Sequence, residues 1–222
     1  MKLLAIDTST DYLSLAVMDG SDALSRIHRS EPRSHSSLLM PMIDEVLSRA
    51  KTALRDLDGF CLSIGPGSFT GLRIGVAAIK GLAVITKKPI VTVPTLDAVA
   101  ENAKEFHGII CAVLDARKGK VYACIYRSDG ERLKKLSRAL LIPASDLIKL
   151  LASYDEMLLL GDFAANIAPH LSGARIMDGA WQPRPEVVGA IGIESFKKKK
   201  FVKAEDLEPL YIYSKECDIV GR

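Results

Sequence analysis

Hydrophobic positions in the first twenty residues fall into two short runs, Leu4-Ala5-Ile6 and Leu13 to Val17, separated by Asp7-Thr8-Ser9-Thr10-Asp11 and followed by Asp19-Gly20. Runs of this length bounded by turn residues predict strands, and the Asp-Gly pair predicts a tight turn, so the opening reads as a β-meander. The middle of the chain has the same layout. Ala112-Val113-Leu114 ends at Asp115, Ala116-Arg117-Lys118-Gly119 follows, Lys120 to Ile125 forms the second strand, and Asp129-Gly130 closes it. Asp7 and Asp115 stand 108 positions apart in a chain of 222. This repeat predicts two homologous α/β halves, 1–103 and 104–222, each opening with a hairpin and continuing into helices; the competing account is two unrelated hairpins, which are common.

Between the repeats the apolar period lengthens. After Glu31-Pro32-Arg33 breaks the chain, Leu38, Leu39, Met42, Ile43, Val46 and Leu47 recur at helical spacing and predict a helix from Ser34 to Ala50, capped by Ser34 or Ser36. Its apolar surface is broader than one core contact requires, and Pro41 predicts a kink unless it lies in the first turn. Phe60 to Ile64 reads as a buried strand leading through Gly65-Pro66-Gly67-Ser68-Phe69-Thr70-Gly71 into a second helix that ends near Thr86. Ile90 to Val93 is a strand, and Pro94 opens a short helix. In the second half, helices are expected near 144–153, after Gly161-Asp162, and from Pro185 to Lys198, with a strand at Met157 to Leu160. The run Lys197 to Lys200 closes the last helix, where cations complement the negative end of the helix dipole, and it reads as a solvated helix end.

Composition mainly excludes. With 48% hydrophobic and 26% charged residues the chain is an ordinary globular one, as one large domain or two of about 110 residues. A net charge of +3 and a pI near 8.6 are too mild to mark an electrostatic nucleic-acid binder, and no aromatic-basic RNA motif is present. Cys61, Cys111, Cys124 and Cys217 are widely spaced and read as small buried hydrophobes in a reducing cytosol. The opening run meets Asp7 too soon for a secretory signal, and the most apolar later stretch, Gly71 to Ile85, carries Arg73 and Lys80. The expectation is a cytoplasmic protein with no membrane partner.

Candidate chemistry lies where strands meet turns. A strand, a G-P-G-S-F-T-G loop and a helix form the geometry in which backbone N–H groups can hold an anion. Leu72 after Gly71 replaces the lysine of a P-loop. Asp7 with Thr8 and Ser9 could hold Mg²⁺ toward a phosphate, or simply cap its own turn. The candidate nucleotide or phosphate residues are therefore Asp7, Thr8, Ser9, Gly65, Gly67, Ser68 and Thr70. A structural account competes for the glycines: Gly71, Gly75 and Ala78 share a helical face that allows close packing. In the second repeat, Arg117 and Lys118 put bulk where a phosphate would need bare backbone. His28, His35, His107 and His170 show no metal-ligand spacing, so no metal is expected.

Taken together, Leu4-Ala5-Ile6-Asp7-Thr8-Ser9, the helix His35-Ser36-Ser37-Leu38-Leu39-Met40-Pro41-Met42-Ile43, the loop Gly65 to Gly75, the turn Leu114-Asp115-Ala116-Arg117-Lys118-Gly119-Lys120-Val121-Tyr122 and the tail Glu208-Pro209-Leu210-Tyr211 resemble the TsaB (YeaZ) family. That family is the dimerization subunit of the bacterial complex that makes N6-threonylcarbamoyladenosine at position 37 of tRNA. The motifs run in order from residue 2 to about 213, and G-P-G-S-F-T-G-L-R is the most specific of them. The resemblance implies an α/β fold of the actin, Hsp70 and sugar-kinase type (ASKHA), with two duplicated ribonuclease-H-like halves and a reduced second half. It also implies a pseudoenzyme lacking the metal-binding histidine pair of its partner, the threonylcarbamoyltransferase TsaD.

The family's N-terminal-half helices pair with those of TsaD, or of a second copy, in a helical bundle. By position the implied interface is His35, Leu38, Leu39, Met42 and Ile43 on one helix and Leu72, Arg73, Gly75, Ile79 and Lys80 on the next. Leu39 and Ile79 are expected to point outward. The ATPase subunit TsaE joins the pair, tRNA is met only through the complex, and the chain alone is expected to be a homodimer. It carries no cofactor of its own, with ATP or ADP expected at the subunit junction if anywhere. The family tail commonly reads E-P-x-Y-[LV]-R, whereas here Tyr213 stands in the arginine position. The alternative function is an autonomous ATPase or small-molecule kinase of the same fold, using Asp7 and the Gly65 to Gly71 loop.

Overall fold

In a computed structural model, residues 1–212 apart from Asp178 and Ala180 are described. They form two compact units: Met1–Ala98 with Pro183–Leu210, and Val99–Gln182 joined by Tyr211 and Ile212.

The first unit is built on a five-stranded sheet of order β3-β2-β1-β4-β5. Its strands are β1 (Lys2–Asp7), β2 (Tyr12–Asp19), β3 (Asp22–Ser30), β4 (Gly59–Ser63) and β5 (Ile90–Val93). The meander β1-β2-β3 is antiparallel, while β4 and β5 extend it in parallel with β1. Two helices, α1 (His35–Arg49) and α2 (Phe69–Thr86), cover one face. Leu4, Ile6, Leu13, Leu15, Phe60 and Leu62 on the sheet close with Leu39, Ile43, Val46 and Ile79 on the helices into the main core, all essentially inaccessible to water. At roughly 1.5–3 kcal/mol per fully buried large side chain, this face dominates the unit's stability. α1 runs on through Pro41 as helix.

The opposite face of the sheet is covered by α6 (Pro185–Lys197), which brings Val188 and Ile193 onto Leu3, Ala5, Ala16, Met18 and Val91. Gly189 and Gly192 let it settle closely, because a Cβ at either would overlap Met18 or Cys61. The expected halves 1–103 and 104–222 are corrected accordingly. A sheet apolar on both faces needs cover on both, so residues 183–210 join the first unit, and the division falls within α3 (Thr95–Glu101).

The second unit repeats the sheet in smaller form, with order β11-β10-β6-β7-β8, and β9 (Leu140–Pro143) pairing separately with β7. Here β6 (His107–Asp115) and β7 (Lys120–Asp129) take the places of β1 and β2, β8 (Leu133–Lys135) that of β3, and β10 (Met157–Leu160) and β11 (Ala174–Ile176) those of β4 and β5. α4 (Ala144–Leu151) seats Leu147 and Leu151 on Val113, Val121 and Leu159, while α5 (Ala164–Ile167) is a single turn. The two hairpins read from sequence are thus equivalent parts of one repeated topology. Cys61, Cys111 and Cys124 are buried, as expected, and Cys217 lies outside the described residues.

Candidate functional site

The Asp7 turn and the glycine loop meet at the ends of β1 and β4 and close on each other. Asp7 is wholly buried, and its carboxylate accepts from the Ser9 amide at 3.0 Å and from the Ser9 hydroxyl at 2.9 and 3.0 Å. The Ser63 hydroxyl supports it further and is itself 2.9 Å from Thr95 Oγ1. Burial pushes the Asp7 carboxyl above its ordinary range, with the hydrogen bonds from Ser63 and Ser9 opposing. The Ser68 amide donates to the Ser9 carbonyl at 2.7 Å, and the Thr8 hydroxyl donates to the Gly71 carbonyl at 2.8 Å. A Cβ at Gly67 would overlap the Ser9 carbonyl oxygen, and one at Gly71 would overlap that of Thr8. Ser68 caps α2 by accepting from the Gly71 amide at 3.2 Å.

The expected set Asp7, Thr8, Ser9, Gly65, Gly67, Ser68 and Thr70 is brought together, with Gly67 and Gly71 in close backbone contact with the Ser9 and Thr8 carbonyls. The glycines serve close packing, the account that competed with anion binding. Of the set, Ser68 and Thr70 line an open cavity of about 340 Å³ beside the starts of α1 and α2. Thr10, Asp11, Arg33, His35, Ser36, Gly71 and Ile74 complete its wall. His35 is largely buried there, its Nε2 2.9 Å from the Thr10 carbonyl.

The expected partner-facing residues divide. Leu39, Met42 and Ile43 on α1 and Leu72, Gly75 and Ile79 on α2 lie inside the first unit's own core. Leu38 is half-buried against it. Gly75 sits on Thr8 and Leu62. The outward placement of Leu39 and Ile79 is therefore corrected: each is at most 1% exposed. The broad apolar face of α1 is a single core face, fully used because the helix lies across β2, β3 and α2 together. Arg73 and Lys80 do reach the surface side. Arg73 stacks 3.9 Å above the Phe69 ring, and Lys80 donates to the Glu205 carbonyl at 3.2 Å.

The sequence reading gives Gly71 to Ile85 as a buried or partner-facing helix but does not name the residues exposed on its other side. Phe69, Val84 and Ile85 are 56, 66 and 79% exposed, with Ala77 and Gly81 between them in the open and Met40 and Pro41 exposed on the neighbouring α1. The signal was available: α2 is eighteen residues of mean hydropathy 1.5, long and apolar enough by length and composition to cross a membrane.

In the second unit the turn after β6 is a compact polar knot. The Asp115 carboxylate accepts from the Arg117 amide at 2.7 Å and pairs with its guanidinium at 3.2 Å, and the Asp162 carboxylate accepts from the Asp115 amide at 2.8 Å. Burial, with the Asp115 charge adding to it, raises the Asp162 carboxyl above its usual range. Arg117 and Lys118 both take left-handed backbone conformations, with φ of 67° and 52°. Among the described residues no three His, Cys, Asp or Glu side chains gather where they could hold a metal. Tyr213, which departs from the expected tail, lies outside the described residues.

Comparison with known proteins follows the same lines. Residues 28–172 match the family model described as TsaD: tRNA N6-adenosine threonylcarbamoyltransferase. The chain is 31% identical over 220 residues to the tRNA threonylcarbamoyladenosine biosynthesis protein TsaB of Escherichia coli, covering 96% of this chain and 94% of that one. YeaZ from Pseudomonas aeruginosa superposes with a TM-score of 0.83 at 26% identity, over 95% of this chain and 99% of that one. More distantly, component A of (R)-2-hydroxyglutaryl-CoA dehydratase from Acidaminococcus fermentans shares the fold, with a TM-score of 0.51 at 10% identity over 90% of this chain and 99% of that one. The duplicated sheet topology is that of the actin, Hsp70 and sugar-kinase class, and with this agreement over nearly its full length the chain belongs to the TsaB (YeaZ) family of tRNA threonylcarbamoyladenosine biosynthesis proteins.

Proposed function

We propose that this chain is a docking subunit without chemistry of its own, which binds the catalytic threonylcarbamoyltransferase TsaD and supports formation of N6-threonylcarbamoyladenosine at position 37 of tRNA in the cytoplasm. The observation that carries the reading is the outer face of α2, where Phe69, Val84 and Ile85 stand exposed. Apolar groups clustered on one helix face mark a protein contact. The match of residues 28–172 to the transferase model supports it, since two related subunits can pair through equivalent helices in a pseudo-twofold bundle. Two copies of this chain would use the same face when the partner is absent, and the ATPase subunit TsaE joins the assembled pair. For a nucleotide shared across the junction, the cavity beside His35 and Thr70 is the place to look. Buried Asp7, whose carboxylate accepts from Ser9 and Ser63, gives no support to autonomous phosphoryl transfer.

The test is co-purification of the chain with TsaD, followed by tRNA modification with the reconstituted subunits. Val84→Glu with Ile85→Glu places two charges on the exposed face without touching the core. The expected result is loss of the complex and of modification, with an unchanged thermal midpoint for the variant alone. A variant that still co-purifies and supports modification like the parent chain would overturn the reading.

A further inference from the structure

The six non-glycine residues with left-handed backbone among those described are all basic: Arg33, Lys51, Lys87, Arg117, Lys118 and Lys199. Three of them end the three main helices of the first unit. Lys51 follows α1, Lys87 caps α2 with φ 56°, and Lys199 follows α6, its amide donating to the Phe196 carbonyl at 2.9 Å. Glycine is the residue favoured at such positions, because a Cβ is crowded in this conformation. A lysine at all three is therefore not chosen by the backbone.

All three ends arrive at one edge of the unit. α1 and α2 lead into β4 and β5, so their last turns lie at the start of those parallel strands. Phe196 packs where a side chain on Gly59 would stand, next to Pro89, and Val202 bridges Ile90, which brings the end of α6 to the same place. Lys198 and Lys200 flank Lys199 there, exposed like it. The carboxylates nearby are Asp58, which accepts from the Lys2 amide at 2.7 Å, Asp56, which accepts from the Ala53 amide at 3.1 Å, and Glu194, which pairs with Lys197 at 2.8 Å. Lys51, Lys87, Lys199 and Lys200 have no carboxylate partner among the described residues.

Helix dipoles favour a cation at each of these ends, which accounts for one charge per helix. They do not account for the gathering of three helix ends, with further lysines, into one surface on which Lys51, Lys87, Lys88, Lys198, Lys199 and Lys200 outnumber the carboxylates Asp56, Asp58 and Glu194. We infer that this edge of the first unit, formed by Lys51, Lys87, Lys198, Lys199 and Lys200, is a contact surface for the phosphate backbone of RNA. A surplus of lysines on helix ends complements phosphates, and such contacts position a polynucleotide without reading its sequence. Phe201, 45% exposed and held edge-on against Phe196 at 4.9 Å, offers an unpaired base a stacking surface beside the charges. An anionic membrane would call for a broader apolar face beside the cations. The choice of RNA rests on the chain's family and not on docking to the transferase. This surface is also separate from the outer face of α2.

The experiment is equilibrium filter binding of the full chain alone to a tRNA transcript, across salt from about 50 to 200 mM. Lys51→Gly, Lys87→Gly and Lys199→Gly are combined in one variant, since glycine relieves the left-handed backbone and should leave the melting temperature equal or higher. The parent chain should bind with affinity falling steeply with salt. The triple variant should lose at least tenfold at low salt, with the log-log slope reduced by about 2 to 3, roughly one unit per lost phosphate contact. Co-purification of the variant with TsaD should be unaffected, so the RNA surface and the docking face fail separately. Absence of salt-dependent tRNA binding by the parent chain, an unchanged affinity and slope in the variant, or binding to phosphatidylserine vesicles in place of tRNA would each overturn the inference.

Discussion

At the scale of single residues, Asp7 carries the clearest electrostatic consequence. Its folded-state pKa is raised by burial, so the native protein holds this proton more tightly than the unfolded chain. Stability from this group is fully present below the unfolded carboxylate value and is lost as pH rises through the folded one. Asp7→Asn removes that dependence and keeps an acceptor for Ser9. Thermal melts at successive pH values from 7 downward should show the parent chain gaining on the variant, until acid effects on other carboxylates dominate. Parallel curves would show that Asp7 is not so perturbed. The sequence displayed Asp7, Thr8 and Ser9 as a cluster, but not where their bonds go. That depends on Gly67 and Gly71 lying against the same turn, a contact made across some sixty residues of chain.

At the scale of elements, α1 and α2 show what periodicity can and cannot separate. It marked both helices within a residue or two, and it marked the strands around them. It could not tell a wide face that fills one core from a face divided between a core and a partner, because both place apolar residues over the same arc. For α1 the wide face is all core. Leu39→Ala should therefore cost about 2–5 kcal/mol in denaturant unfolding by opening a cavity under the helix, whereas a surface role would leave stability unchanged. For α2 the second face was legible in its overall apolarity, and the positions exposed on it, Val84 and Ile85, lie a turn beyond those expected from the motif. The short edge strands β8, β9 and β11 were not read, having too few residues to show an alternation.

At the scale of the whole molecule, the internal repeat was visible because two Asp-terminated strands and their Asp-Gly turns recur, and the repeated sheet order confirms it. The boundary was not visible, because nothing local in Pro185–Lys197 says which sheet the helix will cover. Cutting the chain after residue 182 would bare Leu3, Ala5, Ala16, Met18 and Val91, all at most 1% exposed in the intact unit. The shortened chain should bind a hydrophobic dye strongly and lose its cooperative melt; a sharp transition with no dye binding would show that α6 is dispensable.

The same arrangement sets an order of events on the ribosome. The first sheet is synthesised early, yet one of its faces has no cover until Pro183–Leu210 emerges. At about 5–20 residues per second, translating residues 99–182 takes roughly 4 to 17 s. Over that interval the nascent sheet presents a naked apolar surface to trigger-type holdases, while the second unit, contiguous in the chain, is free to fold ahead of the first.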